Sequence, residues 1–391
     1  MKSSLHAIDG TTFVLLANVI EGFDSEFEYF SRYLSDLNVT EIHALTHPLD
    51  RRSKPFTTYH IINTGNQMTS FSWRRPHRPP LTHIFDFFYP PKTVEGDIWI
   101  AFNPVQAAAA RLRMNDKSLL VHWAIDFVPQ KSLNPLVNFC YRFLERYMFK
   151  RVDVQIENTQ AAMEMRQRLM KRVPPHQAIA PIGVFVSDFK SPTMERLNNP
   201  NVVYFGSIDD RNDVEFVAEI AREICTAETS VTFHFIGSGP LEEKIKQQLS
   251  DLLMDNRVVF HGFVKDQLTI TNLLGECVVA LAPFLDNDRQ FTKFADPQKI
   301  KYYLAAGLPI FLTDVPPNAQ DLVNRAGCSI LSKQEGPKVW ADHISLLIHS
   351  PGEWLNRAAK AYQVGTEYER THIYDRTLNL IALALAERNS K

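Results

Sequence analysis

The sequence is poor in cysteine, with four in 391 residues: Cys140, Cys225, Cys277 and Cys328. They stand far apart and at no metal-ligand spacing, so they read as reduced, buried thiols of a cytosolic protein rather than a disulfide framework. No basic, apolar and small-residue run opens the chain, and no secretory signal is expected. Long hydrophobic runs are missing as well. The longest, Phe13 to Ile20 and Val278 to Phe284, fall far short of the roughly 20 residues that cross a bilayer. Charge of one sign is not in excess, since 42 Lys and Arg face 44 Asp and Glu. That balance, with no recognition motif, argues against nucleic acid as a partner. There is no internal repeat and no low-complexity segment. A soluble or membrane-peripheral protein is expected.

What is present is enough apolar material, 45% of residues, for two cores of ordinary domain size. Short β-rich runs alternate with helical patterns through both halves. In the first, strands are expected at Phe13 to Ile20, Val39 to Leu45, Asp97 to Phe102, Ser118 to Ile125 and Val152 to Ile156. Between them lie helices, one capped by Ser25 with Phe27, Phe30, Tyr33, Leu34 and Leu37 at helical spacing. The alternation restarts at Val202 after a polar, proline-bearing stretch. The pattern predicts an α/β architecture with a first parallel-sheet domain over 1–190, a linker at 191–200 and a second domain over 201–370. A final helix in 371–391 packs back on the first domain. The net charge of −2 hides an asymmetry: residues 1–190 carry 22 Lys and Arg against 18 Asp and Glu, and the remainder carries 20 against 26. A basic first half suits an acidic acceptor or an anionic surface.

The most informative stretch runs from Asp296 to Ile310. It predicts a loop, a helix opened by Pro297, a glycine stop at Gly307 and a buried strand. Lys299, one residue inside that helix, stands beside unpaired backbone N–H groups, a combination that suits a diphosphate. The alternative is an ordinary amphipathic helix with Lys299 solvated. Other polar residues follow strands. Gly206-Ser207 and Arg211 come after Val202 to Phe205, Gly237-Ser238-Gly239 after Thr232 to Ile236, and His261-Gly262-Phe263 after Val258 to Phe260. Each reads either as a tight turn or as a place where backbone approaches a nucleotide.

Pro-x-Lys-x-x-x-Tyr-Leu-Ala-x-Gly-x-Pro, with the Gly-Ser turn and the Phe-His-x-Ile-Gly-Ser-Gly run, resembles the donor-binding half of nucleotide-sugar glycosyltransferases of the GT-B fold. Within that fold it is most similar to the glucuronosyltransferase of xanthan assembly and more distantly to glycosyltransferase family 4. The resemblance implies two Rossmann-like domains facing a cleft and transfer of a sugar from a nucleotide-diphosphate donor, UDP-linked. It implies Lys299 on the diphosphate, with Gly206, Ser207, Arg211, Gly237, Gly239, Phe263 and Pro297 around the donor. Family 4 enzymes place a glutamate on the ribose where this chain has Tyr302, which offers one hydroxyl. Neither a cofactor nor a metal is expected. Asp286-Asn287-Asp288, before the donor helix, is the nearest approach to a metal signature.

Asp126 follows the apolar strand Leu119 to Ile125 and is the expected general base, or else a cap for the next element. His122, inside the same strand, reads as a second candidate base or as a hydrogen-bonded core residue. Trp73, Arg74, Arg75 and Arg78 open a basic, aromatic segment reaching Tyr89, suited to an anionic membrane and a lipid-linked or polysaccharide acceptor. The alternatives are a nucleotide-sugar 2-epimerase of the same fold and a non-catalytic nucleotide-sugar-binding module.

Overall fold

The computed structural model describes residues 6–19, 25–49, 54–63, 67–74, 86–87, 94–129, 134–210, 212–286 and 292–390. Contacts divide the chain into two compact units, Met1–Pro181 with Thr371–Lys391, and Ile182–Arg370. The 191–200 segment, polar and proline-bearing, belongs to the second unit. There Arg196 donates to the Ala306 carbonyl at 2.8 Å, so its composition marks a loop held on the surface of a domain.

The first unit carries an eight-stranded sheet in the order β4-β3-β2-β1-β5-β6-β7-β8. The strands are β1 (Thr12–Val19), β2 (Glu41–Pro48), β3 (Phe56–Asn63), β4 (Gln67–Arg74), β5 (Ile98–Ala101), β6 (Leu119–Ala124), β7 (Val154–Glu157) and β8 (His176–Ile179). Strands β1, β2 and β5 to β8 run parallel. An antiparallel hairpin, β3 with β4, extends the sheet beyond β2. The parallel reading had no place for it. Nearly all of β4 is exposed, so no one-sided apolar alternation marks it in the sequence.

Among the described residues, these strands are connected by helices α1 (Glu26–Ser35), α2 (Pro104–Arg111), α3 (Pro135–Phe149) and α4 (Gln160–Met170). Their starts follow from local chemistry. The Glu28 carboxylate accepts from the Ser25 N–H at 2.5 Å. Asn103, Asn134 and Thr159 accept from first-turn N–H groups of α2, α3 and α4. Alternate residues of β1 enter opposite cores. Phe13, Leu15 and Ala17 join Phe27 and Phe30 of α1, whereas Val14 and Leu16 join Ala107 and Ala108 of α2. Both faces are therefore covered, as a parallel sheet requires.

The second unit holds β9 (Asn201–Phe205), β10 (Thr232–Ile236), β11 (Val258–Phe260), β12 (Cys277–Ala282), β13 (Ile310–Leu312) and β14 (Ser329–Ile330). Their order is β11-β10-β9-β12-β13-β14, all parallel. This is the doubly wound arrangement in which strand order reverses beside the first strand. Helices α5 (Val214–Ala227), α6 (Glu242–Gln248), α7 (Ser250–Met254), α8 (Gln267–Gly275), α9 (Gln298–Ala305), α10 (Ala319–Ala326), α11 (Pro337–Ile348) and α12 (Pro351–Gly365) follow the strands.

The last helix, α13 (Arg370–Asn389), returns to the first unit. Tyr374 packs edge-on against Phe30, with ring centres 5.1 Å apart, and against Trp123 at 6.1 Å. Tyr33 donates to Asp375 at 2.5 Å, and Arg388 donates to Asp153 at 2.6 Å. Tyr374 is buried at 1% exposure. Tyr374→Ala is expected to destabilise the first unit by roughly 3–5 kcal/mol, the usual cost of truncating a buried aromatic. Urea unfolding followed by tryptophan fluorescence checks this, and an unchanged midpoint would place α13 outside the core.

Candidate functional site

In an open parallel sheet, ligands sit beyond the carboxyl ends of the strands where strand order reverses. In the second unit that point lies between β9 and β12. Tyr303 of α9 closes it: its phenol oxygen accepts from the Phe205 N–H at 2.7 Å and donates to the Leu281 carbonyl at 3.2 Å. Complete burial pushes its pKa up, which keeps it a neutral donor.

Three strand-end loops are laced together above this point. Gly206 N–H donates to the Ile236 carbonyl at 2.9 Å, Gly237 N–H to the Gly262 carbonyl at 2.9 Å, and Ile208 N–H to the Ser238 carbonyl at 3.1 Å. The approach leaves no room for side chains. Gly206 and Gly237 have φ of +148° and +140°, where other residues are strained. A Cβ on Gly237 would lie 1.9 Å from the Gly206 oxygen, and one on Gly239 would lie 2.2 Å from the Ile208 oxygen. Ser207 and Phe263 stand exposed beside them.

Lys299 of α9 reaches the same place, with its Nζ 3.0 Å from where a Cβ on Gly206 would sit. The ammonium lies over the rings of Tyr204 (4.6 Å) and Phe284 (5.2 Å) and donates to Asn212 Oδ1 at 3.0 Å. Asn212, which the sequence reading missed, also donates to the Ser207 carbonyl at 3.2 Å. No carboxylate pairs with Lys299 among the described residues. Burial pushes its pKa down to about 7, with Asp209 opposing the shift. Lys299 is therefore not a fully solvated lysine: it is half-buried, over two aromatic rings and bonded to an amide oxygen.

The rest of the motif is structural. Lys301, two residues on, is fully buried and paired with Asp296, whose second oxygen accepts from the Ile182 N–H at 2.7 Å. This pair ties the start of α9 to the first residue of the unit. Pro297 is the residue before the helix, with Gln298 its first member. Tyr302 is 6% exposed and packs against Phe205 at 5.4 Å and Phe189 at 5.9 Å, so its ring belongs to the core. Arg211 lies outside the described residues. Asp286 pairs with Lys293 at 2.6 Å, and Asn287 and Asp288 are not described. Among the described residues, no three His, Cys, Asp or Glu side chains come together to hold a metal.

In the first unit, Asp126 is exposed two residues beyond the end of β6. Asn158 donates to the Ile125 carbonyl at 2.6 Å, joining the ends of β6 and β7 beneath it. His122 is different. It is fully buried, its Nδ1 lies 2.9 Å from Gln155 Oε1, and its pKa is pushed to about 3 by burial and the nearby Arg166. It is a neutral core histidine. Gln155 passes to Glu157 at 2.6 Å, and the Arg166 guanidinium bonds both Glu157 and Glu145. This internal network holds Glu157 away from solvent. A second polar cluster was not read from sequence. At the β1/β5 reversal, Asn18 donates to buried Asp86 at 2.9 Å and accepts from Asn103 at 2.5 Å and Gln106 at 3.1 Å. An asparagine at the end of each apolar strand was the available signal. Trp73 and Arg74 end edge strand β4; Arg75, Arg78 and most of the segment to Tyr89 lie outside the described residues.

Comparisons with known proteins bear on this arrangement. Residues 199–350 match the family model described as Glycosyl transferases group 1. The structure is similar to a sucrose-phosphate synthase from Thermosynechococcus elongatus at 13% identity, covering 96% of this chain and 99% of that one, with a TM-score of 0.69. It is also similar to the pneumococcal O-GlcNAc transferase GtfA in complex with UDP and GlcNAc (10% identity, 96% and 99% covered, TM-score 0.63). A third is HepE from Anabaena in complex with UDP (13% identity, 94% and 99% covered, TM-score 0.61). At these identities the likeness is one of fold. The matched domain and the shared fold support a glycosyltransferase of the GT-B type. No curated protein matches the sequence.

Without a ligand, the Lys299 amine is largely neutral above its pKa of about 7. A bound diphosphate favours the charged form and raises that pKa, so at pH 8 binding must take up a proton. Calorimetry of a nucleoside diphosphate in buffers of different ionisation enthalpy is expected to show uptake of most of one proton at pH 8. Lys299→Met should abolish it, and equal heats in all buffers for the wild type would place the diphosphate elsewhere.

Proposed function

We propose that the chain transfers a sugar from a UDP-linked donor to a hydroxyl of a lipid-linked or cell-surface polysaccharide acceptor. The observation that carries this reading is Lys299, drawn from solvent against three glycine-lined strand ends at the reversal point of the second sheet. A half-buried amine with no carboxylate partner among the described residues is a site prepared for an anion. Backbone N–H groups of the Gly206 and Gly237 turns supply further positive ends. GtfA and HepE, similar in fold, have structures holding UDP.

In the proposed mechanism the exposed carboxylate of Asp126 takes the proton from the acceptor hydroxyl, which displaces the nucleoside diphosphate with inversion. Lys299 and backbone N–H groups receive the charge that develops on the leaving diphosphate. Buried, neutral His122 supports the strand and takes no part. Kinship with the xanthan glucuronosyltransferase and family 4, and a peripheral position on the cytoplasmic membrane face, belong to the same proposal. A 2-epimerase would need a water-linked elimination and would act on the donor alone, and a binding module would show no turnover.

Asp126→Asn keeps the shape of the side chain and removes its basicity. Turnover is expected to fall by roughly 100-fold or more, the usual contribution of a positioned general base, with donor affinity unchanged. Near-normal turnover in that variant would move the base to another group. Turnover with no acceptor, giving an epimerised nucleotide sugar, would replace transfer by epimerisation.

A further inference from the structure

The only acid on α3, Glu145, is 1% exposed and turned inward to Arg166 and Arg142. The opposite face of the same helix is apolar and cationic. Leu136, Phe139 and Phe143 recur at helical spacing and are 70%, 68% and 62% exposed, among the largest apolar exposures in the chain. One turn further on, the exposed side continues with Arg146 and Lys150. Arg151 stacks its guanidinium 4.0 Å from the Tyr147 ring centre. Met148 and Phe149 fill the core behind. A helix with three exposed large apolar groups, a cationic end and no exposed acid is unusual for a surface that meets only water.

We propose that α3 docks on an anionic lipid bilayer, with Leu136, Phe139 and Phe143 entering the interface and Arg146, Lys150 and Arg151 meeting lipid phosphates. Charge selects this occupant. A second copy of the chain would bring the same cations and no exposed acid from this helix to meet them, a repulsive pairing. A purely apolar protein groove would leave the cationic end without a partner. The surface also connects to the proposed chemistry. Arg142 of α3 donates to the Val128 carbonyl at 3.1 Å and also to the Pro129 carbonyl, on the loop that begins with Asp126. Docking through α3 therefore places the candidate base next to the lipid surface from which a lipid-linked acceptor presents its hydroxyl. The inference rests on the acceptor class proposed above and assigns membrane contact to a helix of the first unit rather than to the β4 edge.

The test uses the full chain with vesicles of phosphatidylcholine, alone or mixed with phosphatidylglycerol. Co-sedimentation at low salt is expected with the anionic vesicles, at least tenfold weaker with phosphatidylcholine alone, and lost as salt is raised. Two double variants, Phe139→Glu with Phe143→Glu and Arg146→Glu with Lys150→Glu, should each reduce the bound fraction at least tenfold with circular dichroism unchanged. A wild type that stays in the supernatant, or variants that sediment like it, would overturn the proposal. So would a wild-type dimer that the Phe139 and Phe143 changes convert to monomer, because the face would then be an interface between copies. UDP calorimetry on the same preparations is read separately: its failure counts against the donor reading and leaves the vesicle result standing.

Discussion

One lysine amine drawn partly out of water sets the terms of the second unit. Moving an ammonium from solvent is costly unless partners replace the lost hydration. The partners of Lys299 are two aromatic faces and an amide oxygen, which offset the cost only in part, so burial still lowers its pKa to about 7. The surrounding sequence follows from holding that lysine there. Gly206 must lack a side chain for Nζ to lie beside it, and Gly237 must lack one for the next loop to close over Gly206. Tyr303 must bridge the diverging strands so that α9 stays in place. Buried Lys301 and Asp296 fix the entry to that helix.

Much of this was legible in the sequence because the second unit is regular. Glycines after apolar strands, and a lysine at the start of a short helix closed by Gly307, carry local signals that survive folding. Gly307 does take the left-handed conformation expected of a helix stop, φ +67°. Partners distant in sequence were not legible: Asn212 under Lys299, and Phe189 and Phe205 around a Tyr302 turned inward instead of outward. A helical position states a spacing and not which side the core will occupy. In the first unit, the β3–β4 hairpin escaped because half-buried β3 and exposed β4 lack one-sided alternation. His122, within an apolar strand, reads more as a hydrogen-bonded core residue than as a base, and Gln155 and Arg166 around it fit the core reading.

The two units solve different problems. The second holds a half-buried amine whose charge burial disfavours, whereas the first leaves Asp126 exposed at a strand end and an apolar, cationic helix face in water. Its buried charges, Arg166 with Glu157 and Glu145, are satisfied internally and spend their interactions on joining α3, α4 and β7.

Backbone hydrogen exchange of the full chain with and without UDP tests the placement of the donor most directly. Slower exchange is expected at Gly206 to Ile208, Gly237 to Gly239 and the first turn of α9 from Lys299, with little change in β6 or α3. Protection confined to the first unit, or UDP binding that leaves these three segments unchanged, would contradict a donor site built on Lys299.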